Sequence, residues 1–73
     1  MIYYWDTPLG AITIRPVKER WIVFYNEENL GSYHSPRAAV SDVAGGHTFM
    51  PSNGADFFAL GVSPDLPEWK TRT

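Results

Sequence analysis

The sequence contains no cysteine in its 73 residues, which excludes disulfide bonds, thiolate zinc sites and thiol catalysis. This absence fits the reducing cytoplasm, and we predict that location. Charged residues are few, at 19%, and the formal net charge is −2, so the composition gives no footprint for a phosphate backbone. Apolar runs are too short for a signal peptide or a membrane-spanning helix. We therefore expect a cytoplasmic protein that makes no contact with membranes.

Signatures of catalysis and metal binding are missing as well. The two histidines, His34 and His47, lack the spacing of a metal site. No Gly-x-Ser-x-Gly elbow occurs, and Glu27-Glu28 is typical of a solvated turn rather than of the paired carboxylates of hydrolases. Gly45-Gly46 follows a helical pattern, whereas a phosphate-binding loop precedes a helix. The sequence predicts no catalytic, cofactor-binding or metal-binding residue, and hence a protein that is not an enzyme.

Apolar and aromatic residues dominate what is present. They make up 44% and 15% of the chain, respectively, which suits a folded core and not a disordered, charge-rich chain. A chain of this length has room for one domain, which we expect to span residues 1–73. Such a small domain buries only about 60% of its unfolded surface, so its stability should be marginal.

Three strands are predicted in the first half of the chain. Alternation indicates a first strand over residues 9–17, and a β-branched and aromatic run indicates a second over residues 20–26. Polar residues 26–29 predict a hairpin turn, and residues 30–34 a short third strand. Because the connections are short, the three strands should form an antiparallel meander. Residues 1–8 are assigned no element.

A helix follows these strands. Ser35-Pro36 is typical of a helix start, since the hydroxyl accepts from a free backbone N–H and proline loses no hydrogen bond there. An apolar stripe that includes Val40 and Val43 continues the helix to Ala44, and Gly45 suits a left-handed cap. The predicted fold is therefore α+β: a three-stranded antiparallel sheet with one helix on one face, forming a β-β-β-α unit over residues 1–46.

The central strand is apolar on both faces, although one short helix can cover only one of them. Trp21 and Phe24 alternate onto opposite faces, and both are predicted in the core with Val40 and Val43. An irregular C-terminal arm, residues 47–73, is expected to pack on the unit and cover the second face, with Trp69 folded back. The alternative is an open aromatic face that binds a partner. Large apolar residues are frequent in the arm and include Phe49, Phe57, Phe58, Leu60, Val62, Leu66 and Trp69.

Two resemblances follow from motifs. The pattern Trp21-x-Val23-x-Tyr25, then Leu30-Gly31-x-Tyr33-x-Ser35-x-x-Ala38-Ala39, resembles the three-strand-plus-helix DNA-binding domains of plant ethylene-response factors and the N-terminal arm-binding domains of phage integrases. This likeness covers residues 11–44 and implies a sheet face that reads DNA, for which the chain offers Arg15 and Arg20. The ending Leu60-Gly61-Val62-x-x-Asp65-Leu66-x-Glu68-Trp69 is similar to the tail of small uncharacterised bacterial proteins, which implies a bacterial origin and no known function.

Three functions stay open. The sequence favours a non-enzymatic protein-interaction module, whose candidate surface comprises Arg15, Arg20, Tyr25, Tyr33 and Trp69, with another protein as the partner. A nucleic-acid-binding domain of the integrase-arm type is the second, although so few cations make specific binding to duplex DNA unlikely on electrostatic grounds. A small enzyme or metal-binding protein is a distant third. The distribution of charge distinguishes the protein-interaction module from the nucleic-acid-binding domain, because a nucleic-acid binder needs a contiguous basic face.

Overall fold

Four antiparallel strands joined by short turns are followed by a helix, an irregular segment and a short fifth strand. The computed structural model describes residues 1–48 and 51–73. Its strands are β1 (Ile2–Thr7), β2 (Gly10–Val17), β3 (Arg20–Tyr25), β4 (Glu28–Tyr33) and β5 (Lys70–Arg72), with helix α1 (Pro36–Gly45) after β4 and one 3-10 turn (Leu66–Glu68) before β5. The strands lie in the order β4-β3-β2-β1-β5, and all neighbours are antiparallel.

The α+β class is confirmed, but the prediction of three strands is wrong, since five form the sheet. β1 escapes prediction because its Ile-Tyr-Tyr-Trp start is apolar on both faces and shows no simple alternation. β5 has three polar residues and becomes a strand only by pairing with β1, where Ile2 faces Arg72 and Tyr4 faces Lys70. Such a non-local pairing leaves no signal in either segment alone.

The hairpin between β3 and β4 is tighter than predicted. Only Asn26 and Glu27 lie between the paired residues Tyr25 and Glu28, and their φ angles are 49° and 67°. Two consecutive positive φ angles define a type I′ turn, whose twist matches that of the flanking strands. β4 therefore begins at Glu28, two residues before the predicted strand.

Helix α1 starts where the sequence indicates. The Ser35 hydroxyl accepts a hydrogen bond from the Ala38 N–H at 3.2 Å, which satisfies one of the free donors of the first turn. Gly46, one residue beyond the predicted cap, ends the helix in the left-handed conformation with a φ of 74°. Val40 and Val43 are fully buried, as the apolar stripe predicts.

The core lies between one face of the sheet and a layer made by α1 and the arm. The arm contributes four buried residues to it: Ala55, Phe57, Val62 and Trp69. The Phe57 ring packs edge-on against Tyr25 at a centroid distance of 5.1 Å, and Trp69 packs against Trp5 at 5.8 Å. Trp69 is therefore folded back on the sheet, as expected. Phe49 of the predicted arm lies outside the described residues.

Across residues 47–48 and 51–73, the arm does not cover the second sheet face, contrary to our expectation. Its buried side chains join those of α1 on the first face. Phe24 is consequently not a core residue: strand alternation turns it away from Val23 and Tyr25, and it is half-buried on the opposite side. Trp21 packs at the margin of the core, partly buried. We call the opposite side the open face; its strand residues include Tyr4, Asp6, Thr13, Arg15, Arg20, Ile22, Phe24, Asn29, Ser32, Lys70 and Arg72.

Candidate functional site

A row of side chains crosses the open face through all five strands. Residues in direct register on neighbouring strands lie on the same side of a sheet. Tyr4 pairs with Lys70 and with Thr13, Thr13 pairs with Phe24, and Phe24 pairs with Asn29. The row therefore holds two aromatic rings with a hydroxyl between them, a cation at one end and an amide at the other. The two rings stand two strands apart, which is about 9–10 Å.

Cationic groups lie against both rings. The guanidinium carbon of Arg15 is 4.0 Å from the Phe24 ring centroid. The guanidinium carbon of Arg72 and the Nζ atom of Lys70 are 5.6 Å and 5.8 Å from the Tyr4 centroid. All three distances fall within the range of cation–π attraction. The contacts hold the cations over the ring faces, while the three cationic side chains remain exposed.

The Arg20 side chain is held in place on the open face by contacts with Ser32 of β4 and with His34. Its Nε–H donates to the Ser32 hydroxyl at 2.8 Å, and a second guanidinium nitrogen donates to the Ser32 carbonyl at 3.0 Å. A third nitrogen lies 3.2 Å from Nδ1 of His34. The side chain is nevertheless exposed. An arginine oriented in advance loses less conformational entropy when an anion binds to it.

Charge is segregated between the two sides of the protein. Four of the six cationic residues lie on the open face, and Lys18 lies in the turn after β2. Of the eight carboxylates, only Asp6 lies on the open face, 3.3 Å from Lys70. Glu28 begins β4 but pairs with Tyr25 on the covered face, and Glu19 and Glu27 lie in the flanking turns. The open face and its turns thus carry five cations against three carboxylates, a net charge of +2. The remainder carries Arg37 against five carboxylates, a net charge of −4: Glu28, Asp42, Asp56, Asp65 and Glu68.

Two groups with shifted pKa values tie other elements to β4. The backbone N–H and the hydroxyl of Ser52 donate to the Glu28 carboxylate at 2.9 Å and 2.7 Å and lower the pKa of Glu28. Burial raises the pKa of Tyr33 to about 12, and the nearby carboxylate of Asp42 adds to the shift. These contacts join β4 to the arm and to α1, and we assign them a structural role.

The structure distributes the five candidate surface residues over two sides. Arg15 and Arg20 are exposed on the open face. Tyr25 is fully buried, and its hydroxyl is hydrogen-bonded within the protein. Trp69 is also buried, and its Nε1–H donates to a backbone carbonyl at 2.9 Å. Tyr33 is half-buried against the core. Tyr25 and Trp69 therefore cannot form a contact surface, because both side chains lie on the covered face of the sheet.

Sequence reasoning missed Tyr4, Lys70 and Arg72 as members of the site. The signal that could have found them is the period of two in each segment: Lys70 and Arg72 flank one threonine, and Tyr4 lies two residues from Asp6. That period places each set on one side of a strand. It identifies a shared site only when β5 is known to pair with β1.

No protein-family model matches this chain, and neither a curated protein nor a solved structure matches it. Across residues 1–48 and 51–73, no helix combines the length and the apolar character needed to cross a bilayer.

Proposed function

We propose that this chain is a binding module for single-stranded nucleic acid, and that the open face is its binding surface. The observation that carries the proposal is the row through Tyr4 and Phe24, whose rings are flanked by Arg15, Lys70 and Arg72. Proteins that bind single strands combine cations that follow the backbone with aromatic rings on which bases stack. Sheet surfaces with exposed aromatic residues do this in common RNA-binding modules.

The same geometry argues against a duplex as the ligand. Stacking on a ring needs an unpaired base, and the bases of a duplex are already stacked on one another. Specific binding to a duplex also needs many phosphate contacts that position the protein around the base contacts. The open face and its turns offer a net charge of only +2. The expectation that the chain does not bind duplex DNA specifically therefore stays a prediction.

A protein-interaction module, the function that the sequence favours, is the second candidate here. An acidic segment of another protein would be attracted by the same cations. Such an acidic segment does not require aromatic rings. In the row, Thr13 supplies a hydrogen-bonding group between the Tyr4 and Phe24 rings, and Asn29 supplies another beside Phe24. The rings and these polar groups favour an unpaired base over a carboxylate side chain.

The experiment measures the fluorescence anisotropy of labelled single-stranded RNA and DNA of about 12 nucleotides, within the span that small sheet domains bind. Tyr4→Ala should weaken binding about 5- to 150-fold, because stacking of one base contributes about 1–3 kcal/mol. Tyr4→Phe keeps the ring and should bind nearly as the wild type does. Phe58→Ala is the matched control, since Phe58 is 71% exposed but lies in the arm.

Circular dichroism confirms that each variant is folded, and a duplex and an acidic peptide of similar length complete the ligand set. Single-strand binding that Tyr4→Ala weakens and Phe58→Ala leaves intact would support the proposal. Preference for the duplex would contradict it. An acidic peptide that binds as tightly as the oligonucleotide, without loss in Tyr4→Ala, would replace the proposal with the protein-interaction module. Binding of none of these ligands would also refute it.

A further inference from the structure

A shallow depression lies on the open face beside the turn between β3 and β4. It measures about 300 Å³, and six residues line it: Ala11, Thr13, Arg15, Phe24, Asn26 and Glu27. The Arg15 guanidinium over the Phe24 ring, 4.0 Å from its centroid, provides a flat surface within the depression. Guanidinium planes and aromatic rings are the two side-chain surfaces on which proteins stack unpaired bases. The depression is thus a place for one base.

The rim of this depression carries a carboxylate, which a surface for a polyanion would ordinarily avoid. Glu27 is exposed. It is the second of the two central residues of the type I′ turn and has a φ of 67°. Glycine is the residue that adopts this conformation at the lowest cost. The Glu27 side chain thus lines the depression at its edge, where its carboxylate can accept a hydrogen bond from a bound base.

We infer that Glu27 selects a base that carries an exocyclic amino group; this inference rests on the proposed function and deepens it. A carboxylate accepts hydrogen bonds and donates none. The N4 amino group of cytosine donates, and glutamate is a recognised partner for it. Uracil presents a carbonyl oxygen at the equivalent position, so a carboxylate there would face a second acceptor. The depression accordingly binds cytosine in preference to uracil.

The test compares oligo(deoxycytidine) with oligo(deoxyuridine) of about 10 nucleotides at neutral pH, by anisotropy, with the full chain. Both ligands have the same backbone and pyrimidine rings of similar size, so stacking and charge are matched. The wild type should bind the cytosine oligomer at least about 5-fold more tightly, the lower end of the discrimination given by one good base contact. Glu27→Gln should bring the two affinities close together, because an amide can also donate to the uracil carbonyl.

Glu19→Gln is the control, since Glu19 lies in the turn after β2 and its loss changes the net charge equally. It should strengthen binding of both oligomers and leave their ratio unchanged. Equal affinities of the wild type for the two oligomers, or a preference for uracil, would overturn the inference while leaving the proposed function in place. A preference that survives Glu27→Gln, or that Glu19→Gln also abolishes, would overturn it too. Binding of neither oligomer would instead refute the proposed function itself.

Discussion

Replacement of Trp69 by alanine should remove a large part of the stability of this protein. A tryptophan side chain buries about 150–250 Å², and at about 25 cal/mol per Å² this burial stabilises by roughly 4–6 kcal/mol. Buried Trp→Ala substitutions cost about 3–5 kcal/mol. The whole chain of 73 residues should have a free energy of unfolding of about 4–11 kcal/mol. Trp69 is only 4% exposed and contacts Trp5, so most of the expected loss should be realised.

Urea denaturation followed by far-ultraviolet circular dichroism measures this loss without relying on the substituted indole. With a urea dependence of about 1–3 kcal/mol/M, the midpoint for Trp69→Ala should fall by at least about 1 M. Trp69→Phe keeps much of the apolar area but leaves the Ser63 carbonyl without its partner, so it should cost less, about 1–3 kcal/mol. A Trp69→Ala midpoint equal to that of the wild type would refute the reasoning, because the arm would then lie outside the cooperative unit.

Two further predictions concern the core and the pH dependence of stability. Val43→Asp should abolish cooperative unfolding, because Val43 is fully buried and an unpaired buried carboxylate costs several kcal/mol; a thermal melt like that of the wild type would contradict this. The pKa of Tyr33 is raised to about 12 in the folded state, above the value of about 10 for an unperturbed tyrosine. Its contribution to stability is therefore complete below about pH 10 and is lost as the pH rises toward 12. Tyr33→Phe should lose less stability than the wild type over this interval, and equal losses would show that Tyr33 does not cause the effect.

Local signals were sufficient where an element is defined by its own residues. The run from Trp21 to Tyr25 predicts β3 because β-branched and aromatic residues suit a pleated, half-buried surface. Ser35 predicts the start of α1 because a hydroxyl at the N-cap can accept a hydrogen bond from a free backbone N–H of the first turn. Alternation along β3 also correctly places Val23 and Phe24 on opposite faces, but it does not predict the register, which shifts between these two residues against β4.

Non-local pairing could not be predicted in this way. Lys70 and Arg72 join the open face only because β5 pairs with β1, more than sixty residues earlier in the chain. The side on which the arm packs is decided by competition between two apolar faces. The covered face gains Phe57 and Trp69 from the arm, whereas on the other face Arg15 already lies over Phe24. Neither outcome is encoded in the composition of the arm.

The dependence of oligonucleotide affinity on salt tests the central claim most directly. Each phosphate that a cation neutralises on a single strand contributes about 0.7 to the slope of log K against log salt. If all four cations of the open face contact phosphates, the slope should be roughly −3. Arg72→Gln should reduce its magnitude by about 0.7, while Arg37→Gln, which removes the same charge from α1, should leave it unchanged. A slope near zero, or equal flattening by both substitutions, would contradict the assignment of the open face as the binding surface.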